Sequence, residues 1–329
     1  MKKSKVFVTG ATGYVGHQLA KKLADEDYEV VALVRDIDSE KIPRHNNILP
    51  VKGDVCDFHS IESAIDGCTY AFHTAAYTNL KCNNVDSFYN TNVRGTENVL
   101  KAAQQTNVKK VIYSSTLSVF GPSYKDIPIT ESQPRLESYA NDYELTKSMA
   151  EELVLDYERK GLPSVILNLS RVYGPGLKTY SNGVNKLVNM IRKNDFLIVP
   201  SKLDIVANYV YIDDVVNAHL LALDKGKSGE KYIIGGENAS YNQLFKKIKS
   251  LTESKIKILK VNYNMVKGAL MLFYKLNGVF EFDASVTPKV LDSLFTNRGA
   301  SCNKAISQLE YRITPFDLGL ERTINFLSK

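Results

Sequence analysis

Short apolar runs alternate with longer amphipathic stretches through the first half of the chain. The apolar runs predict strands at residues 5–9, 29–34, 48–52, 70–74, 111–114 and 165–169. Between them, apolar positions recur at helical spacing near residues 14–25, 60–66, 87–106 and 139–160. Repeated strand–helix–strand units of this length predict an α/β fold, with a doubly wound parallel sheet covered by helices on both faces. Sheets of this kind bind ligands at the carboxyl ends of their strands.

A glycine-rich turn joins the first predicted strand to the first predicted helix. Gly10 allows a tight turn, Gly13 lets backbone N–H groups approach phosphates, and Gly16 permits close packing of helix on strand. Free amides and the positive end of the helix dipole favour an anion at this point. The turn therefore predicts the pyrophosphate site of a Rossmann-type NAD(P)-binding fold. The other residues of this turn that are expected to contact the cofactor are Thr12, Tyr14 and Val15.

The second half of the chain is less regular, and the sequence Gly174-Pro175-Gly176 marks the change. The elements expected there are a helix near 184–193, a strand at 196–199, a helix from Asp213 or Asp214 and a strand at 231–234. This pattern predicts a dinucleotide-binding domain over residues 1–173, to which the chain returns at about 206–234. Residues 174–205 and 235–329 are expected to form a small C-terminal substrate lobe.

The composition of the 329 residues, with 44% hydrophobic and 24% charged residues, is ordinary for a soluble globular protein. The net charge of +6 is modest and the lysines are scattered, so no nucleic-acid surface is expected. The cysteines and histidines form no metal-binding pattern, which indicates reduced thiols in a cytoplasmic protein and no metal site. No signal-peptide core follows the charged start. Residues 265–280 are too short and too charged to span a membrane; lobe packing, a wall for an apolar substrate and loose membrane contact are the alternatives.

Arg35 follows the second predicted strand, at the place where such folds distinguish NAD from NADP. A planar guanidinium group matches the extra phosphate of NADP, whereas a carboxylate there would bind the ribose hydroxyls of NAD. Asp36 is the next residue, and Lys41 offers a weaker second phosphate contact. The expected cofactor is NADP(H), with NAD(H) as the alternative.

Tyr143 and Lys147 are four residues apart on a predicted helix and therefore lie on one face. A free tyrosine has a pKa of about 10 and is a poor proton shuttle at neutral pH. A cation about 4 Å away, at an effective dielectric constant of about 20, contributes roughly 4 kcal/mol, or about three pKa units. Lys147 is therefore expected to bring the pKa of Tyr143 near 7, where acid–base catalysis is efficient.

The same tyrosine–lysine spacing occurs twice more in this lysine-rich chain, at positions 77 and 81 and at positions 263 and 267. Only Tyr143 lies on a long amphipathic helix that follows the fifth predicted strand. That strand ends in Ser114-Ser115-Thr116 and can present a hydroxyl at the carboxyl edge of the sheet, beside the cofactor. Position thus selects the pair at 143 and 147.

With these motifs the chain resembles the extended short-chain dehydrogenase/reductases, in the branch of NAD-dependent epimerase/dehydratase, dihydroflavonol reductase and 3β-hydroxysteroid dehydrogenase relatives. The matching segments are 9–16, 34–36, 53–55, 72–76, 92–96, 113–121, 143–147, 171–176 and 209–219. The resemblance implies that Thr116 is the catalytic hydroxyl residue and Tyr143 the general acid/base. Lys147 would bond the nicotinamide ribose and polarise Tyr143.

The resemblance also implies a nucleotide path along the sheet edge. Asp54 and Val55 would meet the adenine, and Asn92 would brace the central helix near the active site. Both polar residues have structural alternatives, Asp54 as a turn residue and Asn92 as a helix cap. The remaining implied cofactor neighbours are Ala75, Ala76 and the segment 168–172, which includes Val172.

Some polar residues are expected to be structural. His73 lies on an apolar strand and is predicted to pack in the core, while Glu151 and Glu152 are predicted on a solvated helix face.

The predicted activity is NADP(H)-dependent interconversion of a ketone and a secondary alcohol. The alternative is a sugar-nucleotide epimerase, and a non-catalytic nucleotide-binding scaffold is a third hypothesis. Leu117 and Ser118 stand where the related 4,6-dehydratases carry an Asp-Glu pair, which disfavours that dehydration. The expected partner is thus a small carbonyl or alcohol, or a nucleotide sugar. Relatives often pair through the helices at 87–106 and 139–160, which implies a homodimer.

Overall fold

The computed structural model describes residues 4–79, 85–124, 127–179, 182–277 and 287–328. A seven-stranded parallel sheet in the order β3-β2-β1-β4-β5-β6-β10 forms its centre. Smaller sheets are formed by β7, β9 and β11 and by β8 and β12. The strands are β1 Lys5–Thr9, β2 Glu29–Val34, β3 Ile48–Lys52, β4 Tyr70–His73, β5 Lys110–Thr116, β6 Ser164–Leu169, β7 Arg171–Tyr173, β8 Phe196–Pro200, β9 Val206–Tyr211, β10 Lys231–Ile234, β11 Glu237–Ser240 and β12 Lys257–Val261.

Helices connect most of these strands. They are α1 Tyr14–Asp25, α2 Phe58–Ile65, α3 Val85–Tyr89, α4 Gly95–Gln105, α5 Asp142–Arg159, α6 Gly183–Lys193, α7 Ile212–Lys225, α8 Tyr241–Leu251, α9 Tyr263–Asn277, α10 Pro288–Leu294, α11 Asn303–Leu309 and α12 Phe316–Ser328. Short turns of 3₁₀ and π type cover Leu117–Phe120 and Asn90–Arg94. The doubly wound α/β fold is confirmed, and the strand order reverses between β1 and β4.

The two faces of the sheet bury different residues because side chains alternate along each strand. Val6 and Val8 of β1 belong to the core that contains Leu19 and Leu23 of α1. Phe7, between them, belongs to the opposite core, with Ile61 of α2, Leu100 of α4 and Val154 of α5. The continuous apolar runs of the sequence thus correspond to strands buried on both sides.

The helix predicted over 87–106 is divided at a π-helical turn. In this turn the Asn92 side chain accepts a hydrogen bond from the backbone N of Tyr77 (2.7 Å) and donates to the backbone O of Tyr77 and to Oγ1 of Thr146. Periodicity could not show this, because the partners of Asn92 lie on other segments. Asn92 therefore links the loop after β4 to helix α5.

The C-terminal elements pack beside the carboxyl edge of the sheet. Strand β9 pairs with β7 and β11 in the small sheet, while β10 completes the central sheet next to β6. The ring of Tyr173 contacts Tyr211 and Phe316, with centroids 5.8 and 5.5 Å away.

Among the described residues, no helix combines the length and apolar character needed to cross a membrane. The end of the apolar stretch, residues 278–280, lies outside the described residues, as does Lys81.

Candidate active site

The glycine turn lies between β1 and α1, at the point where the strand order reverses. Gly10 has a φ of +76°, and a Cβ atom there would lie 2.8 Å from the backbone N of Ala75. A Cβ on Gly16 would lie 2.3 Å from the Gly10 carbonyl oxygen. Gly13 caps α1 without a side-chain hydrogen bond, and the first helical turn contains no acidic residue. The helix therefore presents open amides to an anion.

The end of β4 is fixed against this turn by hydroxyl groups. Thr74 donates from Oγ1 to the backbone O of Thr9 (2.7 Å), and the Ala75 amide donates to Oγ1 of Thr9 (3.2 Å). The His73 ring bonds Oγ1 of Thr9 through Nδ1 (2.7 Å) and Oγ1 of Thr96 through Nε2 (3.0 Å). Burial lowers the pKa of His73 to about 3, so this ring is a neutral structural group in the core, as predicted.

A cavity of about 690 Å³ extends from the glycine turn into the C-terminal elements. Sequence reasoning selected many of its lining residues from distant segments. Those on its wall are Gly10, Gly13, Tyr14, Val15, Gly16, Ala76, Thr116, Tyr143, Lys147 and Val172. One cavity thus joins the helix N-terminus to the hydroxyl-bearing end of β5 and to the Tyr–Lys face of α5.

The other predicted cofactor residues lie outside that wall. Asp54 accepts a hydrogen bond at Oδ1 from the Cys56 amide (2.9 Å), which is the turn geometry considered for it above. Val55 is buried, and its Cγ2 would be 2.9 Å from a Cβ atom on Gly95. Arg35 is exposed just beyond β2 and forms no ion pair with any residue that the structure describes. The remaining members of this group are Thr12 and Ala75, both partly buried, and Asn92, which is buried.

Lys147 is buried and directed at strand β5. Its Nζ atom lies 2.5 Å from the Tyr113 hydroxyl and 2.7 Å from the backbone O of Ser114. Burial lowers the pKa of Lys147 to about 7, and the nearby carboxylate of Glu151 acts in the opposite direction. The ammonium group therefore holds α5 to the strand that carries Thr116.

The pKa of Tyr143 differs from the value expected from the sequence. Burial raises its pKa to about 12, and a side-chain hydrogen bond with Thr116 opposes that rise. The expectation that Lys147 brings this pKa near 7 was wrong, because the Lys147 ammonium bonds Tyr113 and Ser114 instead. Tyr143 is consequently a protonated phenol at neutral pH, next to the Thr116 hydroxyl.

Glu151 corrects a second expectation, since only 1% of it is exposed. Its carboxylate accepts hydrogen bonds from Ser115 and from Nδ2 of Asn168 (2.6 Å), and it forms an ion pair with Lys231 (2.6 Å). The sequence contained a signal for this, because Glu151 follows Lys147 by four residues and lies on the same helix face. Glu151 therefore braces the ends of β5, β6 and β10.

Three arginines lie at or near the cavity, and of these the sequence indicated only Arg171, within the implied segment 168–172. Arg171 lies on the cavity wall, and Arg135 and Arg298 both pair with Glu144, at 2.9 and 2.5 Å. Glu144 directly follows Tyr143 and is 1% exposed. Arg298 is 154 residues from its partner, so no local pattern in the sequence indicated this pair.

Fold and site together define a dinucleotide-dependent enzyme, and the comparisons agree. The sequence profile described as the NAD dependent epimerase/dehydratase family matches residues 6–235. The chain therefore belongs to this family. It is an NAD(P)-dependent enzyme of the extended short-chain dehydrogenase/reductase type with a nicotinamide cofactor, and the resemblance seen in its sequence is confirmed.

Relatives in the family carry out different reactions. The chain is 31% identical over 252 residues to short-chain dehydrogenase/reductase family 42E member 1 from Xenopus laevis, covering 71% of this chain and 62% of that protein. It is 32% identical over 246 residues to dTDP-D-glucose 4,6-dehydratase from Mus musculus, covering 70% of this chain and 68% of that protein.

Solved structures match over nearly the whole length. The crystal structure of gox2253 superposes with a TM-score of 0.82 at 28% identity, over 99% of this chain and 98% of that chain. A UDP-glucose 4-epimerase from Thermotoga maritima, solved with UDP-glucose, gives a TM-score of 0.82 at 23% identity, over 98% of both chains. The second likeness shows the fold.

Proposed function

We propose that this protein is an NADP(H)-dependent reductase that converts a ketone to a secondary alcohol. The observation that carries the proposal is the single cavity shared by the glycine turn, Thr116, Tyr143 and Lys147. The glycine positions leave space that a Cβ atom would fill, and the open N-terminus of α1 suits a pyrophosphate. A dinucleotide whose pyrophosphate bound there would supply the hydride from its reduced nicotinamide.

In this proposal Thr116 and Tyr143 both hydrogen-bond the substrate carbonyl oxygen. Both side chains line the same cavity, and Thr116 opposes the rise in the pKa of Tyr143, so we expect both hydroxyls to reach one oxygen atom placed between them. The donors stabilise the negative charge that develops on the oxygen. The raised pKa of Tyr143 keeps its proton available, and the phenol then transfers it to that oxygen. Lys147 positions the end of β5 and bonds the nicotinamide ribose.

The preference for NADP(H) rests on Arg35. Its guanidinium group is exposed at the carboxyl end of β2 and is not engaged by a carboxylate of the described residues. Asp36 accepts a hydrogen bond at Oδ1 from the Asp38 amide (3.1 Å), so its carboxylate closes its own turn. We propose that Arg35 binds the 2′-phosphate, while Asp54 and Val55 border the adenine.

The same proposal divides the chain by role. Residues 1–173 with about 206–234 hold the cofactor, and residues 174–205 and 235–329 form the substrate lobe. The large cavity is consistent with this division, since its wall includes Leu187 of α6, Phe245 of α8 and Val290 of α10.

Whether the cofactor is consumed or recycled distinguishes the proposed reductase from an epimerase. The epimerase remains the alternative because the chain is similar to epimerases and dehydratases. Purified protein is incubated with NADPH and a panel of ketones, and separately with UDP-glucose, while absorbance at the nicotinamide band is followed. Stoichiometric NADPH consumption with a ketone supports the reductase. Sugar interconversion with cofactor retained through purification and unchanged over many turnovers would replace it with the epimerase, and a protein that binds NADPH but turns over neither substrate class would be a scaffold.

A further inference from the structure

A second, smaller cavity adjoins the large one beside Thr116. Its volume is about 130 Å³, several times the roughly 30 Å³ that a water molecule occupies in the liquid. The two cavities share Thr116, Leu169, Ser170, Arg171 and Leu294 in their walls. The small cavity is further lined by Leu117, Ser118, Asn208, Ser293 and Arg298. It therefore lies directly beside the place where the proposed reaction occurs.

Arg298 is only 6% exposed, and some of its N–H groups form no hydrogen bond within the described part of the chain. Its Nη2 atom bonds Oε1 of Glu144 at 2.5 Å, but Nε and Nη1 are buried without a hydrogen-bond partner among the described residues. The Ser170 hydroxyl, on the same cavity wall, is also buried and unpartnered within that part of the chain. Buried guanidinium N–H groups are rarely left unpaired, so these donors can bind an acceptor that enters the cavity.

The charges around the cavity are unbalanced. Glu144 is shared by Arg135 and Arg298, so one carboxylate faces two guanidinium groups. Arg171 adds a third, and it donates to two neutral oxygens, the Tyr241 hydroxyl (2.6 Å) and the Leu294 carbonyl (2.9 Å). No carboxylate of the described residues forms an ion pair with Arg171. Arg171 and Arg135 repel the charge of Arg298, which a bound anion would relieve.

We propose that the small cavity is a substrate subsite that binds an anionic group, a carboxylate or a phosphate, through Arg298 and Arg171. The inference rests on the proposed function in one respect, since Thr116 marks the position of the reacting carbonyl. A substrate of this enzyme then carries its negative charge close to its ketone. The planar forks of the two arginines suit the paired oxygens of such a group. Ser170 supplies a further donor.

Calorimetric titration of the NADPH-saturated protein tests the subsite without requiring turnover. Saturation fills the cofactor phosphate sites, so glutarate and inorganic phosphate report on other anion sites, and dimethyl glutarate is the neutral comparison. We expect the wild type to bind at least one anion and not the diester. Arg298→Met and Arg171→Met should weaken that binding at least tenfold, with the Kd for NADPH unchanged in Arg298→Met. Arg159→Met removes an exposed arginine on α5 and should have no effect.

The tighter anion identifies the group, glutarate for a carboxylate and phosphate for a phosphate ester. No anion binding by the wild type, or equal binding by the wild type and both variants, would overturn the subsite. If Arg298→Met does not fold, Arg298→Lys keeps the charge beside Glu144 and should still weaken binding, and Arg171→Met stands as the independent test. Anion binding that is lost in the variants of a protein inactive on every ketone would retain the subsite and refute the reductase. Ketone reduction by a protein that binds no anion would support the reductase and refute the subsite.

Discussion

The Nζ atom of Lys147 lies 2.7 Å from the backbone carbonyl oxygen of Ser114. This contact crosses from helix α5 to strand β5, two residues before Thr116. The same ammonium group reaches the Tyr113 hydroxyl, so both partners of Lys147 belong to the strand. Lys147 therefore helps to set the position of Tyr143 relative to Thr116, although these two hydrogen bonds are made to neither residue.

Replacing Lys147 with Met should lower kcat for ketone reduction by about 10²–10³, since a pre-positioned hydrogen-bonding site is disturbed and the ribose contact is lost. Steady-state kinetics and fluorescence titration of NADPH measure both effects. Lys227→Met, on the exposed surface after α7, is the matched control. A Lys147→Met enzyme with wild-type kcat would remove Lys147 from the site.

Tyr143→Phe should lower kcat by about 10²–10⁴ while leaving the Kd for NADPH near its wild-type value, because the phenol is the proposed proton donor. Tyr139→Phe is the control, since that hydroxyl is near the same helix but bonds Ser148.

The pKa of about 12 also sets the pH dependence of Tyr143. A phenol that stays protonated can donate across the neutral range, so its contribution to ketone reduction should be flat from pH 6 to 9. Alcohol oxidation needs the deprotonated phenol and should rise with pH over the same range. Rates measured in both directions check this, and an oxidation rate that is independent of pH would contradict it.

Arg35→Ser should weaken NADPH binding by at least tenfold and change NADH binding little, because only NADPH carries the 2′-phosphate. The Kd values of both cofactors measure the effect, with the exposed Arg312→Ser as control. Wild-type protein that binds NADH more tightly than NADPH would refute the preference.

Gly16→Ala should destabilise the fold by about 1–3 kcal/mol and impair cofactor binding, because its Cβ would lie 2.3 Å from the Gly10 carbonyl oxygen. Gly268→Ala is a matched substitution inside helix α9 with no atom within 4 Å, and it should stabilise by up to about 1 kcal/mol. Urea unfolding of both variants measures the difference. Equal stabilities would show that the glycine turn tolerates a side chain.

Stability should fall at acid pH because two buried histidines are neutral in the folded chain. Burial lowers the pKa of His73 to about 3 and of His219 to about 4, whereas an unfolded histidine titrates near about 6.5. Below about pH 6.5 each histidine takes up a proton in the unfolded chain but stays neutral in the folded chain. The free energy of unfolding therefore decreases as the pH falls below that value. Each ring contributes a slope of up to about 1.4 kcal/mol per pH unit.

His73→Asn should therefore lower stability at neutral pH but make its decline between pH 6.5 and 4 shallower. Urea midpoints across that range measure the slope, and His59→Asn, an exposed position, should leave it unchanged. A His73→Asn curve parallel to the wild type would show that the ring does not titrate with folding.

Local pattern determined the sheet to a large extent. The bounds predicted for β1, α1, β2 and β3 agree with the structure, because strands buried on both faces require continuous apolar runs and their helices require a 3.6-residue period. The glycine spacing indicated the close approach of backbone atoms at Gly10 and Gly16, which is a local requirement. The tyrosine–lysine spacing was equally local, and it selected the face of α5 that lines the cavity.

Only the tertiary structure decided the electrostatics of that cavity. The sequence indicated that Lys147 would lower the pKa of Tyr143, but the fold directs its ammonium at β5 and surrounds the partly buried phenol with protein, which raises that pKa. It also brought Arg298 to Glu144 from a segment with no motif of its own. Periodicity and spacing report which neighbours a residue has along the chain, whereas burial and charge pairing depend on neighbours that folding supplies. The sequence by itself thus determined the sheet and indicated the proposed reacting groups, and tertiary contacts determined the environment and the charge around them.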